Sequence, residues 1–125
     1  MTQKIFMLLG AFAAALAVAL GAFGAHALKA RLAPDLLVVY QTAVQYHFYH
    51  ALGLVLVGLA LVHWPDSAWA KLSGWIMLAG IVLFSGSLYL LTLTGQRWLG
   101  AITPVGGVAF IAAWVLFAVG ALKAS

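Results

Sequence analysis

The sequence predicts an all-α, membrane-embedded bundle of four transmembrane helices, with antiparallel neighbours and both termini on the same side. Composition is the first reason, because 66% of the 125 residues are hydrophobic and 6% are charged, against about 45–50% and about 25% in soluble domains. A chain this short cannot bury so much apolar surface within itself. Lipid must therefore be its solvent, which excludes a soluble enzyme domain, a disordered segment and a nucleic-acid-binding protein, despite the net charge of +4.

Four apolar stretches give the number of helices. They cover about residues 5–28, 36–63, 72–94 and 99–122, and each exceeds the ~20 residues that a helix needs to cross a hydrocarbon core. No Lys, Arg, Asp or Glu lies in the middle of a stretch. Short loops make sequential helices antiparallel neighbours. Residues 1–125 are thus predicted to form a single four-helix transmembrane domain.

Proline and polar residues mark the helix ends. Asp35 is placed to cap the second helix, and the segment 64–67 closes that helix and offers a cap for the third. Thr103 followed by Pro104 predicts that the fourth helix starts with a cap and a proline in its first turn. The alternative is a proline kink inside a helix that begins at Leu99.

The distribution of positive charge leaves the orientation in the membrane open. The side of the termini and the opposite side carry equal numbers of Lys and Arg, whereas the positive-inside rule needs a difference. The residues are Lys4, Lys71 and Lys123 on the first side and Lys29, Arg31 and Arg97 on the second.

The first helix is predicted to be retained rather than cleaved as a signal peptide, because its apolar run exceeds the ~7–15 residues that are usual in the apolar core of a signal peptide.

Small residues recur every three or four positions in the first and fourth helices. Small residues let two backbones approach closely, so these stripes indicate either packing within the bundle, which we favour, or a dimer face. They comprise Gly10, Ala14, Ala17, Gly21 and Gly24 in the first helix and Gly106, Ala109 and Ala113 in the fourth.

The second helix is the informative one, because its uninterrupted apolar run, residues 51–62, is too short to cross a membrane. Its preceding polar residues must therefore lie within the membrane. At about 100° per residue, Gln41, Gln45, Tyr46, Tyr49 and His50 share one broad face. That face is predicted to look into the bundle, while His47 falls beside the apolar face.

A candidate intramembrane polar cluster follows from this geometry, with partners at the end of the first helix and in the third. Polar groups at such depths are costly unless paired. The cluster is either an interhelical hydrogen-bond network or a site for a ligand, an ion or a proton. Ser85, Ser87 or Tyr89 is the expected partner of His50. The proposed members are His26, Gln41, Gln45, Tyr46, His50, Ser85, Ser87 and Tyr89.

The sequence offers no catalytic, cofactor-binding or metal-binding residues. The chain has no cysteine, and its carboxylates, Asp35 and Asp66, fall on opposite sides of the membrane, so they cannot form an acid–base pair. His26 and His50 lie about 22 Å apart along the helix axis, which disfavours a haem held between them. We therefore expect a protein that is not an enzyme and has no cofactor.

Four ordered strings carry a resemblance to a known family. They are residues 21–28, 40–51, 84–89 and 102–107, the last followed by Trp114. With these strings the chain resembles the YgdD/YwdK-like family of small bacterial inner-membrane proteins, catalogued as domain of unknown function 423. The resemblance covers essentially the whole chain. It implies a four-helix, multi-pass protein of the bacterial cell inner membrane and brings no activity or cofactor with it.

Three functional hypotheses remain at this point. The first is a non-enzymatic structural or accessory component that packs, within the lipid bilayer, with itself or with a larger membrane partner. The second is a small channel or transporter element with a polar intramembrane site on the second helix. The third, which the histidine spacing disfavours, is a haem-binding membrane anchor.

Overall fold

Four long helices make up the fold, which a computed structural model describes for residues 1–124. They are α1 (Thr2–Leu28), α2 (Pro34–His63), α3 (Ala68–Thr94) and α4 (Thr103–Lys123). A short 3-10 helix, Arg97–Ala101, precedes α4, and the described residues contain no strand. All four helical segments are long and apolar enough to cross a membrane, as the all-α bundle predicted from composition requires.

Two π-helical turns interrupt the regular α-helices. The last turn of α1, Gly24–Leu28, is π-helical, and so is Ile81–Ser85 in the middle of α3. Each such turn adds a residue to the helical repeat and shifts the face that the following residues present. In α3 the shift comes directly before the polar segment that contains Ser87 and Tyr89.

Neighbouring helices run antiparallel. Early residues of α1 contact the end of α2: Gly10 lies against Ala51, and the carbonyl of Gln3 lies against Gly58. Likewise, Ser85 of α3 reaches Ala43 in the first half of α2. α2 and α3 occupy the middle of the bundle, while α1 packs on α2 and α4 packs on α3. Both termini therefore lie at the same end of the bundle.

The small-residue stripes pack within the bundle, as favoured from the sequence. A Cβ atom on Gly10 would stand 2.7 Å from the carbonyl oxygen of Ala51. In α4 a Cβ on Gly106 would overlap the backbone of Phe84 in α3. Because van der Waals packing holds helices together in lipid, these glycines allow α1 to approach α2, and α4 to approach α3, closely.

The helix ends correct two of the predicted caps. α2 begins at Pro34 with Ala33 as its N-cap, so Asp35 lies inside the first turn and caps nothing. Its carboxylate instead lies 3.8 Å from the exposed guanidinium of Arg97, a contact worth at most about 1 kcal/mol. α4 does begin at Thr103, with proline in its first turn, but the threonine side chain makes no cap.

The cap predicted for the third helix is present. The Ser67 hydroxyl accepts a hydrogen bond from the backbone N–H of Ala70 at 3.1 Å. This bond satisfies one of the four free donors in the first turn of α3.

An apolar core fills the half of the bundle nearest the termini, where the uninterrupted apolar run of α2 faces α1, α3 and α4. The buried residues of this core include Phe6, Leu54, Val57, Leu61, Met77, Phe110 and Ala113. The opposite half, built around the first half of α2, contains most of the buried polar side chains.

Candidate functional site: two polar faces of the second helix

The polar residues of α2 divide between two opposite faces. Tyr40, His47 and His50 are buried in the bundle, whereas Gln41 and Gln45 point outward. The buried arc continues the one set by Leu54, Val57 and Leu61, because residues three, four and seven apart share a helix face. We call the outward group, Gln41, Gln45 and Tyr49, the outward stripe.

This division overturns the prediction that one polar face looks inward. The prediction is wrong for Gln41, Gln45 and Tyr49, and Tyr49 is 54% exposed. It is half right for Tyr46, which is 40% exposed while its ring packs 4.8 Å from that of Phe84. The apolar and small residues in the second half of α2 determine which arc of the helix is buried. The polar residues in its first half do not determine it.

Both ring nitrogens of His50 are hydrogen-bonded. Its Nδ1 lies 2.7 Å from the carbonyl oxygen of Tyr46, and the indole N–H of Trp114 in α4 donates to Nε2 at 3.0 Å. A carbonyl can only accept and an indole N–H can only donate. The bonds therefore assign the proton to Nδ1 and the lone pair to Nε2, which makes the ring neutral. The ring also stacks on Phe110, with 3.5 Å between centroids.

The partners predicted for His50 are wrong. Ser85, Ser87 and Tyr89 all bond elsewhere, and His50 instead contacts α4. The reason is its position at the junction with the apolar half of the bundle, where α4 closes over α2.

His47 occupies the position that was expected for His50. Its Nδ1 lies 2.8 Å from the hydroxyl of Tyr89 in α3. The Tyr89 ring lies 5.6 Å from that of Tyr40, whose hydroxyl donates to the carbonyl of Leu20 in α1 at 2.6 Å. This chain of contacts crosses three helices, and sequence analysis left His47 and Tyr40 out of the cluster. Their spacing of seven and fourteen residues from Leu54 is the signal that identifies them.

Hydroxyl groups join the remaining helix pairs. Ser85 donates to the carbonyl of Ala43 at 2.8 Å, and the Ser87 and Thr103 hydroxyls lie 2.7 Å apart. Ser73, which the sequence analysis missed, donates to the carbonyl of Ala113 at 2.7 Å. With the His50–Trp114 bond, side-chain hydrogen bonds tie α1 to α2, α2 to α3, α3 to α4 and α2 to α4.

Within residues 1–124, each buried side-chain nitrogen or oxygen atom of the polar cluster has at least one hydrogen-bond partner. A hydrogen-bonded network of this kind fixes how helices pack. His26, by contrast, is exposed in the last turn of α1 and does not join the cluster.

The outward stripe has no such partners. Within the described residues, the carboxamides of Gln41 and Gln45 and the hydroxyl of Tyr49 make no hydrogen bond. The midpoint of the 30-residue α2 falls between residues 48 and 49. Gln45 is thus about 5 Å from that midpoint along the axis, well inside the ~15 Å half-thickness of a hydrocarbon core.

A groove flanks the outward stripe. It lies between α1 and α2, has a volume of about 270 Å³, and is lined by Gly21, Gly24, Ala25, Tyr40, Gln41, Val44 and Gln45. The glycines of α1 create it, because they bring no side chain to the surface beside the two carboxamides.

These features define a small integral membrane protein, a four-helix bundle with a paired polar interior and an outward polar stripe at membrane depth. The chain belongs to the family described as protein of unknown function (DUF423), whose sequence profile matches residues 20–107. This confirms the resemblance seen in the ordered strings.

Several curated relatives are named as membrane proteins. UPF0382 membrane protein YwdK of Bacillus subtilis is 52% identical over 97% of this chain and 98% of its own length. UPF0382 membrane proteins of Staphylococcus epidermidis and Staphylococcus haemolyticus are 46% and 43% identical over the same shares. No solved structure matches the chain.

Proposed function

We propose that this protein is a non-enzymatic, multi-pass component of the bacterial inner membrane that works by associating with another membrane-embedded protein surface, either a copy of itself or a larger partner. The outward stripe carries the proposal. It places unpaired polar groups on the surface that would otherwise face lipid.

Physical cost supports an associated state. Hydrocarbon offers no hydrogen-bond partners, so a polar group exposed to it loses those it had in water. The outward stripe exposes three such groups in succession, Gln41, Gln45 and Tyr49. A protein surface that covers the stripe and donates or accepts hydrogen bonds removes this cost. Intramembrane hydrogen bonds between helices contribute ~0.6 kcal/mol on average.

The placement of the two carboxylates supports a non-enzymatic role. Asp35 lies in the first turn of α2 and Asp66 follows its last residue, so the two are about 45 Å apart along the helix. Acid–base catalysis needs two such groups within reach of one substrate.

The hydrogen-bonded polar interior argues against the channel or transporter alternative. His50 has both ring nitrogens engaged, and each remaining buried polar atom of the described residues has at least one partner. An ion or a proton carried through the interior would have to compete with these bonds. The interior polar cluster therefore serves packing in this proposal, and the outward stripe serves association.

Photocrosslinking in cells tests the proposal. A benzophenone amino acid at Tyr49 should give adducts with protein, because that position faces the partner. Ile111 of α4 is the matched control: it is 67% exposed and follows Phe110, whose ring lies on His50, so it has nearly the same depth. Adducts at Tyr49 that are no more abundant than those at Ile111 would refute the proposal. Fractionation of tagged protein tests the inner-membrane assignment separately.

A further inference from the structure

We infer that the partner of the outward stripe is a second copy of this chain, in a parallel dimer whose two-fold axis runs along the membrane normal beside Gln45. This inference rests on the proposed function and names its partner. In such a dimer the α2 helices cross at the outward stripe, which extends about 12 Å from Gln41 to Tyr49.

The chemistry of the stripe is self-complementary. A carboxamide has both donors and an acceptor, and a tyrosine hydroxyl both donates and accepts. Around a two-fold axis each residue meets its own copy or a neighbour of the same stripe, so two Gln45 side chains can exchange a pair of hydrogen bonds. The stripe carries no charge, and identical copies therefore do not repel one another across it.

Depth favours the parallel arrangement over the antiparallel one. In a parallel dimer Gln41, Gln45 and Tyr49 each meet an equivalent residue at an equal depth. In an antiparallel dimer centred at the midpoint of α2, between residues 48 and 49, Gln41 would stand opposite the apolar half of its partner's helix. Its carboxamide would then remain unpaired in lipid, at a cost that the parallel dimer avoids.

Shape agrees with this arrangement. The stripe residues are four apart, and rows of this spacing pack against each other when two helices cross at a right-handed angle. The groove of about 270 Å³ beside Gln41 and Gln45 gives the partner's α2 a concave surface. Gly21, at the groove, leaves room there in the way that small residues do at close helix contacts in membranes.

Cysteine crosslinking provides a clean test because the chain has no cysteine. Gln45→Cys and, separately, Gln41→Cys should each form a disulfide dimer on mild oxidation in native membranes. Ile111→Cys, which faces outward on α4, is the control and should stay monomeric. Crosslinking of Gln45→Cys at or below the control level would overturn the inference. An antiparallel dimer centred at the midpoint of α2 would instead bring Gln41 opposite Leu56, which is also exposed. A mixed dimer of the Gln41→Cys and Leu56→Cys variants, without a Gln41→Cys dimer, would overturn the parallel arrangement.

A second measurement covers the case in which a cysteine variant folds poorly. Gln45→Leu removes the carboxamide from an outward position, so the melting temperature of the variant in detergent should equal that of the wild type. Energy transfer between labelled copies in lipid vesicles should instead show dimerisation weakened about sevenfold, the loss of two intramembrane hydrogen bonds. Unchanged dimerisation would count against the Gln45 pair.

The two proposals fail in distinguishable ways. If the benzophenone at Tyr49 captures a different protein while no self-crosslink forms, association stands and the second copy is wrong. If neither crosslink forms, both proposals fail.

Discussion

The bond between Trp114 and His50 allows a double-mutant cycle that tests whether the buried polar cluster is structural. His50→Leu leaves the indole N–H of Trp114 without its acceptor at 3.0 Å. Trp114→Phe leaves Nε2 of His50 without its donor. Each single variant leaves one polar group of the pair without its partner, whereas the double variant removes both groups. The loss of stability in the double variant should therefore be smaller than the sum of the two single losses.

The magnitude follows from the geometry. Hydrogen bonds between transmembrane helices average ~0.6 kcal/mol and reach about 1.7 kcal/mol, and the buried position of His50 places this bond towards the upper value. We therefore expect a coupling of about 1–1.7 kcal/mol. His50→Leu should lose a further ~0.5–1.5 kcal/mol, because it also removes the stack on Phe110, with centroids 3.5 Å apart.

Reversible unfolding in mixed detergent micelles, followed by circular dichroism, measures the four free energies of the cycle. Tyr49→Phe, which alters an outward hydroxyl, is the control and should unfold like wild type in monomeric protein. Additive losses, with coupling below about 0.3 kcal/mol, would refute the reasoning that the Trp114–His50 bond stabilises the bundle.

Three further predictions follow from other contacts. Gly10→Ala should destabilise the bundle by about 1–3 kcal/mol, because its Cβ would stand 2.7 Å from a backbone oxygen. Gly86→Ala, whose added Cβ has nothing within 4 Å, should be neutral or stabilising, and equal melting temperatures of the two variants would contradict this. Tyr89→Phe should lower the free energy of unfolding by about 0.6–1.7 kcal/mol, since it removes the 2.8 Å bond to His47; no loss would mean that this bond is not stabilising. Two lysines added after Ser125 should shift the orientation of reporter fusions, because the charge difference between the two sides is zero; an unchanged orientation would show that charge does not set it.

Much of the architecture could be predicted from local features of the chain. Composition identifies lipid as the solvent, and the length of each apolar stretch identifies a helix, because both depend on residues close in sequence. The short apolar run of α2 also placed its polar segment within the membrane. Gly10 and Gly106 were assigned to packing within the bundle, since small residues at regular spacing have that role in lipid.

Contacts between distant parts of the chain decided the rest. Polarity alone does not distinguish the carboxamide of Gln45 from the imidazole of His47. Either group is costly in lipid when it is unpaired, and a hydrogen bond within protein would remove the cost for either one. The arc of α2 that is buried depends on how closely α1, α3 and α4 can pack on its small and apolar second half. With that arc buried, His47 and His50 point inward, His50 bonds to Trp114, and Gln45 remains outside. A helical wheel contains the angles between residues on one helix, but the neighbours of that helix determine which angle is buried.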